Sequence, residues 1–351
     1  MTDSKTNTKE IFLSSSPHFT FGNTTQWIMA TVLIALLPEC IYGIMIFGIR
    51  ALVTILTSVL SAVFFEYLFQ KIAKQEIVVN NLSAAVTGVL LALVIPSTTP
   101  VWMVILGAAV AVVIAKGLFG GIGSNTFNPA LTGRAFMFVS FSAIMGASWF
   151  NPESGVNTWS YALTGASNVD AVSSATMLSQ IKAGTASIDE STLMQFFTGN
   201  RAGCIGETSI MLILLSFIFL LVTKVIDWRA PLTMVATVII ATFLSSFIAT
   251  GTAGMAMENV LMALLSGGLL FGATFMVTDY ATTPVTKPGR LVFGFGCGLI
   301  TFLIRRFGGY PEGVMFSILI MNAVAPFLNN LTSRKYGYGK KAHQVKKEEN
   351  K

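Results

Sequence analysis

Ten mostly apolar runs divide this chain, and no other feature restricts its fold so strongly. They lie at 26–48, 51–70, 82–96, 101–118, 127–147, 207–224, 231–250, 257–277, 290–305 and 313–330. A helix needs about 20 such residues to cross a bilayer core, and within lipid only helices and closed barrels satisfy their own backbone. The expected fold is therefore an all-α integral membrane protein of about ten transmembrane helices. The third and ninth runs are short, and Gly and Pro interrupt several ends. Charged residues make up only 11% of the chain, against about a quarter in a soluble domain.

The chain carries 22 Lys and Arg against 16 Asp and Glu, a net charge of +6. Much of this excess lies in "SRKYGYGKKAHQVKKEENK" at the C-terminus, beside an apolar run. There it reads as a cytoplasmic tail, not a nucleic-acid surface. The first 25 residues are polar and lack the short apolar core of a cleaved signal peptide, so the first run is expected to insert as its own signal. With the N-terminus in the cytoplasm, the inner loops receive Lys71, Lys74, Lys116, Lys224, Arg229, Lys287 and Arg290. The outer side receives Arg50, Lys182, Arg201, Arg305 and Arg306. The bias follows the positive-inside rule, with the Arg305–Arg306 pair as the main objection. Cys40, Cys204 and Cys297 are too few and too scattered for a thiolate cluster held by this chain alone. His18 and His343 lie in the polar termini, which excludes a paired-histidine haem site within the membrane.

The two halves echo each other. "NNLSAAVTGVLLALVIPSTTP" resembles "ENVLMALLSGGLLFGATFMVTDYATTP", with TTP at 98–100 recurring at 282–284 and FGG at 119–121 recurring at 307–309. Five runs per half is an odd number, so two such repeats would insert in opposite orientations. Inverted repeats place a pathway or binding site between them, at broken helices near the midplane. Chance likeness between apolar segments is the alternative. The division expected is a cytoplasmic segment (1–25), a first membrane repeat (26–147), an outward-facing polar segment (148–206), a second repeat (207–330) and a basic cytoplasmic tail (331–351).

The segment 148–206 is too long for an ordinary connection. It is rich in Ser, Thr, Gly and Asn, with Trp149, Phe150, Trp159 and Tyr161 near its start. Those aromatics fit either an interfacial belt or the cover of a planar ligand. Within it, "DAVSSATML" sets Asp170 and the small residues Ser173, Ser174 and Ala175 beside Thr176. A threonine hydroxyl needs activation to act as a nucleophile, and no His or Lys base is near in sequence. Composition alone leaves an ordinary polar loop as the simpler reading.

"DAVSSATML" resembles the flavinylation motif Asp-x-x-(Ser/Thr)-Gly-Ala-Thr of two sister families. These are the D subunits of Rnf electron-transport complexes and the B subunits of sodium-translocating NADH:quinone reductases. In both, a flavin transferase uses FAD to join FMN through its phosphate to the motif threonine. The resemblance implies covalent FMN on Thr176, with Asp170, Ser173 and Ala175 matching around it; Ser174 departs from the usual Gly. "LSSSPHF" (13–19), "GGIGSNTFNPALTGRAF" (120–136) and "FMVTDYATTPVTKPGRLVFG" (275–294) carry the likeness along nearly the whole chain. The SSPH start and the lack of a long N-terminal extension favour the Rnf family.

The resemblance also implies a second, noncovalent flavin, riboflavin, which we assign to 120–136. There GGIG permits unusual backbone angles, "NPA" begins a helix with free N–H groups, and Asn125 and Asn128 add amides. Tight packing at the glycines, with Pro129 as a first-turn residue, is the competing reading. Arg134 is a further candidate contact, and Asp279 a candidate for a cation path; Glu39 and Glu66 are weaker candidates. No dinucleotide fingerprint stands in a strand–helix context. NAD, ferredoxin and iron–sulfur sites are therefore expected on partner subunits of an electron-transport complex in the bacterial inner membrane. A channel or transporter for a small solute fits the inverted repeats equally well, and the Thr176 segment separates the two.

Overall fold

The computed structural model describes residues 24–147, 195–199, 202–207, 209–308 and 313–332. The elements among them are helices and turns. In the first half these are α1 (Thr25–Phe47), α2 (Ile49–Ile72), α3 (Ser83–Leu93), α4 (Val101–Gly117), α5 (Pro129–Ser140) and α6 (Ser142–Ala147). A 3-10 turn, Ile205–Glu207, precedes α7 (Ile210–Val222), α8 (Arg229–Thr250), α9 (Ala253–Leu265), α10 (Leu269–Met276), α11 (Lys287–Phe307) and α12 (Val314–Thr332).

By length and composition, five helices can each cross a membrane: α1, α2, α8, α11 and α12. A sixth span arises if α9 and α10, bent by 58°, count as one. These spans accord with an all-α membrane protein, and the shorter apolar helices α3, α4 and α7 stand beside them. The run at 82–96 is helical only to Leu93, the run at 127–147 breaks at Phe141, and the run at 257–277 breaks at Ser266–Gly268. Gly267 and Gly268 have φ of 65° and 62°, a left-handed conformation that ends α9 and turns the chain into α10.

Large apolar side chains face outward, as on α8, where Ile240 and Ile248 are 66% and 75% exposed. This surface suits lipid, and the chain is a multi-pass membrane protein. Lipid is as apolar as the core, so packing between helices depends on close approach rather than on the hydrophobic effect. Gly298 on α11 provides one such approach: a Cβ there would stand 2.6 Å from the Met234 carbonyl oxygen of α8. Gly88 of α3 provides another, lying so near α2 that a Cβ would be 2.7 Å from Val59 Cα, while Ser58 Oγ donates to Gly88 O at 2.7 Å.

Among the described residues, two helices depart from α geometry. In α4 the segment Val110–Gly117 is a π-helix, continued by i→i+5 bonds such as Leu118 N to Val113 O at 3.0 Å. In α10 the segment Gly272–Met276 is also π, with Val277 N donating to Gly272 O at 2.9 Å. Such turns occur mostly as single insertions and often at functional sites.

Candidate functional site

A cavity of about 340 Å³ opens between the two halves. Its apolar wall includes Ile28 and Val32 of α1, Val86 and Leu90 of α3, and Phe275 of α10. Its polar lining comes from Ser83, Lys116, Asn125, Asn128 and Asp279, so both halves contribute.

The π turn of α4 carries Lys116 into the interior, 4% exposed. Its Nζ donates to Glu66 Oε1 at 2.7 Å and to Ser83 Oγ at 2.5 Å. Gln70 Nε2 reaches the same carboxylate oxygen at 3.5 Å, while its own oxygen accepts from Val78 N at 3.0 Å. Glu66 Oε2 has no hydrogen-bond partner among the described residues. Lys116 is thus not the solvent-facing loop charge that its place in the sequence implied. Its pairing with Glu66 and Ser83 escaped sequence reasoning, although a lone Lys at the end of an apolar run was a usable signal.

Asn128 caps α5 by accepting from Leu131 N at 3.2 Å. Its amide reaches Met276 O of α10 at 3.5 Å. Asn322 of α12, oriented so that both ends of its amide are satisfied, accepts from Asn128 N at 3.1 Å and donates to Ile318 O at 3.2 Å. One asparagine therefore joins α5, α10 and α12 at the cavity. Asn125 donates to Phe127 O at 3.1 Å. Asp279, in the turn after α10, accepts from Thr282 Oγ1 at 3.0 Å.

A second, more open cavity of about 530 Å³ adjoins the first and shares Thr278, Asp279 and Tyr280 with it. Lys224, Asp227, Arg229 and Arg290 line it. Asp227 Oδ2 lies 2.8 Å from Arg229 Nη1 and 2.7 Å from Arg290 Nη1, and its Oδ1 accepts from Arg229 N at 3.0 Å. Burial alone would raise this carboxyl. The hydrogen bonds from Arg229 and Arg290 outweigh it and hold Asp227 below its ordinary value.

Asn125 and Asn128 are thus brought together, as sequence reasoning grouped them, and Asp279, singled out separately for a cation path, lines the same cavity. Arg134 is not among the residues lining either cavity: it is buried in α5, with Nη2 3.6 Å from Cys204 Sγ. Glu39 is wholly buried in α1, and neither carboxylate oxygen has a hydrogen-bond partner among the described residues. Thr176, with Asp170, Ser173, Ser174 and Ala175, lies outside the described residues.

Comparison with known proteins gives the family of the chain. The chain is 40% identical to the D subunit of the proton-translocating ferredoxin:NAD(+) oxidoreductase complex of Clostridium ljungdahlii, over 92% of this chain and 95% of that protein. It is 39% identical to the D subunit of the Na(+)-translocating ferredoxin:NAD(+) oxidoreductase complex of Acetobacterium woodii, over 97% and 99%. The D subunit of the ion-translocating oxidoreductase complex of Escherichia coli O7:K1 is 35% identical over 93% and 99%. Residues 12–337 match the family described as NQR2, RnfD, RnfE, and the chain belongs to that family.

Proposed function

We propose that the chain is the D subunit of an ion-translocating ferredoxin:NAD+ oxidoreductase complex, a membrane flavoprotein that relays electrons. In this reading FMN is joined to Thr176, and a second flavin, riboflavin, occupies the cavity between the halves. The reading rests on likeness to D subunits of such complexes over almost the whole chain, joined to a motif that keeps Asp170, Ser173, Ala175 and Thr176. Iron–sulfur, NAD-binding and further flavin sites belong to partner subunits, and a flavin transferase matures this one.

The cavity suits a planar group with apolar faces and a polar edge. Its volume falls within the roughly 300–1,000 Å³ of small-molecule sites. Val86, Leu90 and Phe275 line the faces, and the Asn125 and Asn128 amides, already held by Phe127 O, Leu131 N and Met276 O, line the edge. A bound flavin supplies one- and two-electron chemistry. At the other site, the Thr176 hydroxyl is the acceptor atom, and the small residues before it let a transferase approach the backbone.

The pairing of helices recurs between the halves, and the odd number of apolar runs per half makes the two repeats inverted in this reading. As α2 packs on α3 and α4, α8 packs on α9 and α11; as α4 packs on α5, α11 packs on α12. The termini are assigned to the cytoplasm and 148–206 to the outer face. Two charges drop out of that reckoning, one from each side. Lys116 is buried in an ion pair, and Arg305 turns onto the carbonyls of Ala263 and Gly267 at 2.6 and 2.8 Å.

The test is a denaturing gel of the chain expressed with its flavin transferase. A fluorescent band, lost in Thr176→Ala, with an FMN-sized mass on the peptide containing Thr176, is the expected result. A dark wild-type band, with the transferase active on another substrate, refutes attachment and puts the cause at Ser174.

A further inference from the structure

We propose that Lys116 is the positive charge that sets the reduction potential of the flavin in the cavity, and that Glu66 and Ser83 hold it in position. This rests on the reading that the cavity takes a flavin.

Three observations carry it. First, Lys116 lines the cavity, whereas its partner Glu66 does not. On that wall the charge that faces the cavity is therefore positive, with the Glu66 carboxylate behind it, while Asp279 lines the cavity from the other half. Second, the ammonium is fixed by two short contacts and screened from solvent by burial. A buried charge acts on a neighbouring electron acceptor far more strongly than an exposed one, because little water lies between them. Third, the inward placement is a product of the backbone. The extra residue of a π turn rotates all that follows by about 100° relative to an unbroken α-helix. In α4 Lys116 lies within the π segment itself, one residue before its end at Gly117. The other π segment, in α10, stands just before Asp279, the cavity's other charged side chain. Each half thus has one local distortion that delivers one charged residue to the same space.

Reduction adds negative charge to the flavin, and a fixed cation beside it makes reduction easier. The charges themselves neither gain nor lose electrons. Removing Lys116 therefore lowers the potential. Neutralising Glu66 leaves the cation less compensated and raises it.

The experiment uses the full chain carrying Thr176→Ala, so that only noncovalent flavin absorbs, purified in detergent with riboflavin supplied. Midpoint potentials are read by spectroelectrochemistry for this chain and with Lys116→Met, Lys116→Arg or Glu66→Gln added. The expected result is a shift to more negative potential in Lys116→Met, a shift to more positive potential in Glu66→Gln, and a value close to the parent in Lys116→Arg. Shifts of the same sign in Lys116→Met and Glu66→Gln, or none in either, overturn the proposal. If Lys116→Met releases the flavin, Lys116→Arg and Glu66→Gln decide: retention with the stated values supports the proposal, and release from Lys116→Arg as well overturns it. A parent chain that binds no riboflavin refutes the cavity reading itself, and the inference falls with it.

Discussion

The Lys116–Glu66 pair makes a quantitative demand on stability that holds whatever the cavity contains. At 2.7 Å, the attraction between unit charges is about 6 kcal/mol for an effective dielectric of 20. Their side chains are only 5% and 6% exposed, so the desolvation of both charges cancels much of that gain. Removing one partner forfeits the attraction but leaves the other charge buried. Lys116→Met strands a carboxylate whose remaining contact is Gln70 at 3.5 Å, and Glu66→Gln strands an ammonium on Ser83. Each single change should cost about 3–5 kcal/mol. The double variant buries no charge and leaves a neutral amide beside Ser83 and Gln70, so it should be more stable than either single variant. The non-additive part should be at least about 3 kcal/mol, the upper end for contacting residues. Detergent-solubilised chains unfolded by SDS titration give the four free energies of the cycle. A double variant as costly as the two single changes added together would refute the buried pair.

Other consequences follow from single contacts. Gly298→Leu must push α11 away from the Met234 carbonyl and should destabilise by about 1–3 kcal/mol, read in the same titration. Arg305→Lys keeps the charge but loses the planar fork that spans Ala263 O, Ser266 O and Gly267 O. It should cost about 1–3 kcal/mol and increase proteolytic cleavage near residues 266–268. Asp227, held below its ordinary value, contributes stability that is complete above pH 3.8 and is lost as pH falls through its lower folded value. In Asp227→Asn, unfolding profiles should lose this acid-side decline, and a decline identical to wild type would disprove the assignment.

What could be read from the sequence follows from which signals are local. Apolar length gave α1, α2, α8, α11 and α12 to within about two residues at most ends, the usual fraying of boundaries. The Asn128–Pro129 pair announced the start of α5, because capping and a first-turn proline are one-residue effects. Hydropathy did not register the breaks: "LLSGGLLFG" is as apolar across its two left-handed glycines as a continuous helix would be. Lys116 was misread for a related reason. A sequence places it two residues from the end of an apolar run, where a lysine ordinarily reaches into water. Its place within a π segment, together with Ser83 and with Glu66 some fifty positions earlier on a different helix, makes it an interior residue. Asp227 was likewise invisible as a site, since its importance lies in two arginines, of which Arg290 arrives from α11.

The broken helices carry a cost in lipid that the structure answers differently in the two halves. Each break frees carbonyls that bilayer hydrocarbon cannot satisfy. At the end of α9 they accept from Arg305, supplied by the same half. At the end of α3 they accept from the turn that closes the segment 148–206: Cys204 Sγ donates to Val94 O at 3.1 Å, and Ile205 N to Ile95 O at 3.3 Å. That turn is wedged so tightly that a Cβ on Gly206 would meet Leu93 Cβ at 2.7 Å and Phe271 at 3.0 Å. The segment bearing Thr176 is therefore anchored at its C-terminal end by hydrogen bonds that the first half needs in order to break α3. Loosening the anchor would leave those carbonyls unpaired, so the attachment of the segment and the integrity of the seam between the halves depend on the same contacts.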